Sequence, residues 1–109
     1  MLLTFALRTA LRRNAERSSE SDHFPVVKFF TPDARAVWLF TELASDQDTL
    51  YGLCDLGHGS PELGYASLAE ISAVRGPLHL LVERDRHFRA DRPLWAYAAA
   101  ARAAGRIVA

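Results

Sequence analysis

The sequence predicts an α+β fold: a small, mainly antiparallel sheet of four or five strands packed with an N-terminal, a middle and a C-terminal helix. Three observations carry this. Two apolar runs, 36–43 and 50–56, are separated by the short acidic segment Ala44 to Asp48, the spacing of an antiparallel hairpin. A helix-start signature, Ser67-Leu-Ala-Glu70, follows the densest glycine cluster. Helical periodicity at both ends flanks the strand-rich middle, which is an α+β rather than an alternating α/β order.

From the N-terminus, Leu3, Leu7, Ala10 and Leu11 fall on one helical face, with Arg8, Arg12 and Arg13 off it. An Arg-rich, acid-poor segment of this kind also suits a mitochondrial transit peptide, but a helix docking on the domain gives the same pattern. A polar break, Ser18 to Asp22, follows. Pro25 opens Val26 to Phe30, a strand by its β-branched and aromatic content, and Thr31-Pro32-Asp33 is a turn in which the aspartate bonds the local backbone. Ala36 to Leu43 places Val37, Leu39 and Thr41 on one side and Trp38, Phe40 and Glu42 on the other. Both sides are largely apolar, so this strand is expected to be central and covered on both faces. Leu50 to Leu56 is the next strand, with Leu50, Gly52, Cys54 and Leu56 on one face. Gly57 to Gly64 is a turn, and Leu63 to Ala66 a short strand leaving it.

Ser67 then caps a helix, with Glu70 reaching back to complete a capping box. This helix runs to about Arg75 and stops at Gly76-Pro77. Leu78 to Val82 reads as a further strand, Glu83 to Arg92 as a charged run. The last helix begins near Asp91 with Pro93 in its first turn, carries Leu94, Tyr97, Ala98 and Ala101 on one face, and ends at Gly105. Ile107 and Val108 are expected to pack back onto the body. The whole chain, 1–109, is read as one domain, with 1–19 its N-terminal helix.

The 109 residues are half apolar, carry a formal net charge of zero and contain one cysteine. Such a chain can bury a core without staples. Zero net charge argues against a surface given over to nucleic acid or membrane. No run approaches the length of a membrane span. A lone Cys54 suits a reducing compartment, and a cytoplasmic location is the default expectation. The charge is uneven all the same: 31–64 holds a local excess of five negative charges, and Arg75 onward an excess of four positive ones.

Several constellations invite a chemical reading. Cys54, Asp55, His58 and Glu62 include ligand types zinc accepts, but neighbours on a strand point to opposite faces, so no metal site is assigned. A mid-strand cysteine with no nearby imidazole is a poor nucleophile. Asp55 and Glu62 flank the glycine turn, and Glu83-Arg84-Asp85 follows a strand. Convergence of these four acids would permit metal-assisted hydrolysis or nuclease chemistry. Gly57-His58-Gly59 lacks the lysine and hydroxyl of a phosphate loop, so no nucleotide or other cofactor is implied. Arg84, Arg86, Arg89 and Arg92, interleaved with His87 and Phe88, are the residues suited to single-stranded nucleic acid, by phosphate neutralisation and stacking.

The runs Pro25-Val-Val-Lys-Phe-Phe-Thr-Pro-Asp33, Trp38-Leu-Phe-Thr-Glu-Leu43, Leu50-Tyr-Gly-Leu-Cys-Asp-Leu-Gly57 and Pro61-Glu-Leu-Gly-Tyr65 resemble the signature runs of a bacterial domain-of-unknown-function family of small proteins. Ser67-Leu-Ala-Glu-Ile71, Val82-Glu-Arg-Asp85, Phe88, Pro93-Leu94 and Arg106-Ile107 continue the likeness, which covers about residues 23 to 108. His58 and Trp95 depart from it, where the family tends to an apolar and a small residue. The resemblance implies a gene carried on plasmids and integrative elements. It brings no reaction, cofactor or catalytic residue.

These readings converge on a non-enzymatic accessory protein of a mobile element, in anti-defence or plasmid maintenance. It is expected to bind a protein partner through the acidic turn Asp55 to Glu62 or the segment Glu83 to Arg92. Asp55, Glu62, Glu83, Arg84, Asp85, Arg86 and Arg89 are the candidate binding residues.

Overall fold

The computed structural model describes residues 1–17 and 22–109. The expected polar break at 18–22 therefore lies outside the described residues, Asp22 apart. Helix α1, Phe5–Glu16, starts at Thr4, whose hydroxyl oxygen accepts from the Leu7 amide at 3.2 Å. At 12 residues it would be marginal in water. Tertiary contacts hold it. Leu3 and Leu11 are buried, Arg12 donates to the Leu43 carbonyl at 2.7 Å, and Asn14 donates to the Thr41 carbonyl at 3.0 Å.

The sheet comprises β1, Val27–Phe30; β2, Val37–Leu43; β3, Thr49–Asp55; β4, Glu62–Ser67; and β5, Glu83–Arg84. Its order is β4-β3-β2-β1-β5 with every neighbouring pair antiparallel. Strand β2 is central, as its two apolar faces predict. On one face Phe29, Trp38, Phe40, Leu43 and Leu50 pack with Leu3 and Leu11 of the N-terminal segment and with Ile71 of helix α2, Leu68–Ala73. On the other face Leu39 and Leu53 meet Leu94, Tyr97, Ala98 and Ala101 of helix α3, Leu94–Ala104, and Ile107 beyond it. The result is an α+β fold in which the sheet lies between helices. Each fully buried leucine or phenylalanine here contributes about 1.5–3 kcal/mol.

Several expectations are corrected. The β2–β3 register shifts between Phe40 and Glu42, so Glu42 rather than Thr41 stands opposite Tyr51. The side assignment of Glu42 by simple alternation is thereby reversed. Strand β3 ends at Asp55, and Leu56 is exposed. Ser67 does cap α2, accepting from the Glu70 amide at 3.2 Å, but the reciprocal partner is Asp48 and not Glu70. The Asp48 carboxylate accepts from the Ser67 hydroxyl at 2.7 Å and from the Ala69 amide at 2.8 Å. Helix α2 ends at Ala73, short of Arg75.

Leu78 to Val82 is not a strand. Pro77 and the left-handed His79 (φ 65°) turn the chain, leaving a single bridge between Arg75 and Leu81, and only Glu83 and Arg84 pair with β1. Asp33 does not bond its own turn, where the Thr31 hydroxyl oxygen instead accepts from the Ala36 amide at 2.9 Å; the Asp33 carboxylate reaches across to accept from the Leu78 amide at 2.6 Å. Pro93 sits at the N-cap of α3 rather than inside its first turn, and the first helical amide, Leu94, donates to the His23 carbonyl at 2.9 Å. Helix α3 ends as expected at Gly105, which adopts the left-handed conformation (φ 75°).

Candidate functional site

The sheet separates the candidate acids. Asp55 lies opposite Val37, Val37 opposite Phe30, and Phe30 opposite Glu83, one row across β3, β2, β1 and β5. Three inter-strand steps put Asp55 and Glu83 roughly 14 Å apart along the backbone. Glu62 opens β4 at the far edge, beside Cys54, and is exposed. Among the described residues no group of three His, Cys, Asp or Glu side chains is arranged to hold a metal ion. The four carboxylates that a metal-assisted hydrolase would need do not share a centre.

Asp55 faces inward. It is only 2% exposed, and its two oxygens accept from the Gly57 amide at 2.9 Å and the Ile107 amide at 3.0 Å. The carboxylate thus ties the glycine turn to the C-terminal segment and is not displayed on the surface. Cys54 is partly buried, and burial pushes its thiol up to about 11, far from the thiolate that nucleophilic chemistry needs.

Four of the other five candidate residues meet. Glu83, Arg84, Asp85 and Arg86, with His87, line a cleft of about 670 Å³ at the β5 edge, together with the apolar Met1, Leu2, Phe30, Leu81 and Val82. Strand β5 positions them, since two residues of pairing with β1 fix Glu83 opposite Phe30 and Arg84 opposite Phe29. Arg84 is committed to structure: its guanidinium donates to the Leu2 carbonyl and draws the N-terminal segment against the edge strand. Asp85 is held too. Its carboxylate accepts from the His87 amide at 2.9 Å and lies 3.6 Å from the Lys28 ammonium, and these contacts, the amide first, hold its carboxyl below the usual range.

Glu83 and Arg86 are different. Among the described residues neither side chain makes a hydrogen bond or ion pair, Arg86 is exposed, and Leu81 beside them is 45% exposed. The cleft therefore presents apolar surface next to one free acid and one free base. Its lining mixes apolar and charged side chains.

Arg89 lies outside this cleft. Its guanidinium donates to the Phe88 carbonyl at 2.8 Å, Arg92 is paired with Asp91 at 2.8 Å, and Phe88 leans on Tyr97 with ring centroids 6.3 Å apart. Three of the four arginines suited to phosphate contact are thus occupied internally, and the aromatic ring suited to stacking is half-buried. Two features escaped sequence reading. Nothing in the pattern signals that Met1 and Leu2 reach β5, because the contact spans 82 positions. The hollow formed by His23, Glu42, Tyr51, Leu63 and Trp95 was equally hidden, since the bulge that turns Glu42 toward Tyr51 leaves no periodic signature. Burial pushes the Glu42 carboxyl up there, partly countered by His23.

Over residues 2–108 the chain matches the family described as "Protein of unknown function (DUF2958)". It belongs to that family. The match takes in α1, which the signature runs alone do not reach, so the DUF2958 unit includes the helix whose Leu3 and Leu11 complete one core face. No curated protein and no solved structure matches the chain. No helix among the described residues is long and apolar enough to cross a membrane.

Proposed function

We propose that this DUF2958 chain is a non-enzymatic binding protein, an accessory factor of a bacterial mobile genetic element, and that it acts by protein–protein contact through the β5-edge cleft. One observation carries the reading: the cleft sets exposed Leu81 and Met1 beside Glu83 and Arg86, two opposite charges with no partner of their own among the described residues. A groove built for turnover gathers titratable groups around one reacting point. This one instead spends Arg84 and Asp85 on holding the edge strand and leaves apolar side chains beside free charges of both signs.

Of the two surfaces the sequence offers to a partner, the acidic turn has Asp55 buried, and the Glu83 to Arg86 segment is the one displayed. The mobile-element assignment, in anti-defence or plasmid maintenance, is supported by the resemblance of the signature runs. Such a protein works inside the bacterial cell.

The test is affinity capture from the native host, comparing the natural chain with a Leu81→Asp, Arg86→Glu double variant whose melting temperature is first shown to be unchanged. Both side chains are exposed, so the fold should tolerate the change. One protein is expected to be retained by the natural chain and lost, by at least about tenfold, with the variant, as for a contact resting on a few central residues. Equal retention by both, or retention of none, overturns the reading.

A further inference from the structure

The two open edges of the sheet are built differently. Strand β5 is two residues long and sits within the charged run Glu83 to Arg86, the usual protection of an edge against pairing with another chain. Strand β4 has no such protection. It is six residues long, Glu62 is its only charged residue, and its ladder with β3 runs from Thr49–Ser67 to Cys54–Glu62 without a bulge. Its outer side chains are apolar and open, with Tyr65 75% and Leu63 38% exposed, and Trp95 beside them on α3 is 58% exposed.

The backbone groups on this edge can be assigned. The Leu68 amide donates to the Asp48 carbonyl at 2.8 Å, which fixes the alternation of the antiparallel ladder. Glu62, Gly64 and Ala66 therefore spend their N–H and C=O groups on β3, while those of Leu63 and Tyr65 point away from the sheet. Leu63 and Tyr65 stand opposite Leu53 and Tyr51, on the face that α3 covers, and the Tyr51 and Tyr65 rings lie 5.0 Å apart.

We propose that β4 pairs antiparallel with β4 of a second copy of this chain, about a two-fold axis at Gly64, to give one continuous sheet through both copies. Directly opposed residues share a face and must both offer outward groups, so the axis has to pass through a residue position. At Gly64 it sets Leu63 opposite the second copy's Tyr65, an aliphatic–aromatic cross-strand pair, and Glu62 opposite Ala66, so that no like charges meet. An axis at Tyr65 would instead pair Ser67, the cap of α2, and drive the helix start into the other copy.

The strand itself selects a second copy as the occupant, because in this register it is self-complementary: aliphatic meets aromatic twice, and its one charge, Glu62, meets Ala66 on both sides. Gly64 brings no side chain to the axis and the space over it is open, so nothing on that face blocks the pairing. With Tyr65 and Trp95 exposed as they are, the two copies together cover on the order of 1,000 Å², the lower bound for a specific interface, and a weak dimer is expected.

Sedimentation or light scattering from about 1 μM to about 1 mM tests this, the range in which an interface of that size associates. The mass is expected to rise from 12.1 kDa toward twice that value. Gly64→Lys, which the open space accommodates in the single chain, sets two ammonium groups across the axis and is expected to weaken association at least about tenfold. In a Cys54→Ala background, Gly64→Cys is expected to form an intermolecular disulfide on mild oxidation, since opposed residues of this kind lie about 4.5 Å apart. A single 12.1 kDa species throughout, association untouched by Gly64→Lys, or absence of the disulfide in a folded Gly64→Cys variant overturns the proposal.

Discussion

Replacing Asp55 with alanine removes the carboxylate that joins the end of β3 to the segment after α3. The native group accepts two backbone hydrogen bonds, from Gly57 at 2.9 Å and Ile107 at 3.0 Å, while itself only 2% exposed. Hydrogen bonds to a charged group contribute about 1.5–3 kcal/mol each, and a buried donor left without a partner costs the desolvation it can no longer recover. The Gly57 amide, in an exposed turn, regains water; the Ile107 amide, in a buried residue, does not. The net cost is therefore set at about 3 kcal/mol, a large part of the 5–15 kcal/mol available to a domain of this size. At roughly 4 °C per kcal/mol this lowers Tm by about 12 °C. Asp55→Asn keeps one acceptor but turns an amino group toward a backbone donor, so it recovers less than half of the loss. Urea unfolding gives the free energy, and hydrogen exchange shows whether Ile107 loses protection. A change below about 0.5 kcal/mol with the Ile107 amide still protected would refute the assignment of Asp55 to structure.

Two further outcomes follow from the same geometry. Gly52→Ala places a Cβ 1.9 Å from the Leu39 carbonyl oxygen and 2.8 Å from the Phe40 Cα, both backbone of β2, so thermal melting should show a loss of about 3 kcal/mol, while Gly64→Ala, its cross-strand neighbour with open space, is neutral or mildly stabilising. Asp46 is held at about 2 by hydrogen bonds from the Thr49 amide and hydroxyl and the Asp48 amide; because its folded value lies below the ordinary 3.8, it stabilises the β2–β3 turn above that pH, and the contribution is lost as pH falls from about 4 to about 2, a loss that acid titration followed by circular dichroism detects and that Asp46→Ala abolishes.

The long, patterned elements were legible because their signals are local. The apolar runs of β2 and β3, the Ser67 cap and the glycine at the end of α3 each depend on residues a few positions apart. What escaped reading depends on distance along the chain. Asp48 replaces Glu70 at the start of α2 because the β2–β3 turn comes to lie there, a contact across 21 positions. Leu78 to Val82 has strand composition, yet the edge offers pairing only to Glu83 and Arg84, and tertiary context overrides propensity. Of the candidate binding residues, Glu83 to Arg86 are brought together because they are adjacent in sequence, on one strand and directly after it. Asp55 was drawn toward function by its place beside a glycine turn, where a buried anchor and a surface acid have the same local sequence.

The bulge in β2 has a consequence for the first helix. Removing Thr41 would restore plain alternation and leave Phe40, Glu42 and Leu43 on the sides they already occupy, so strand phase does not require the surplus residue. What the surplus residue supplies is a mooring: the Thr41 carbonyl receives the Asn14 side chain at 3.0 Å. A chain shortened by that one position would keep its strands in phase and hold the amino-terminal helix by one tie fewer, leaving Arg12 on the Leu43 carbonyl and the buried Leu3 and Leu11 to keep it in place.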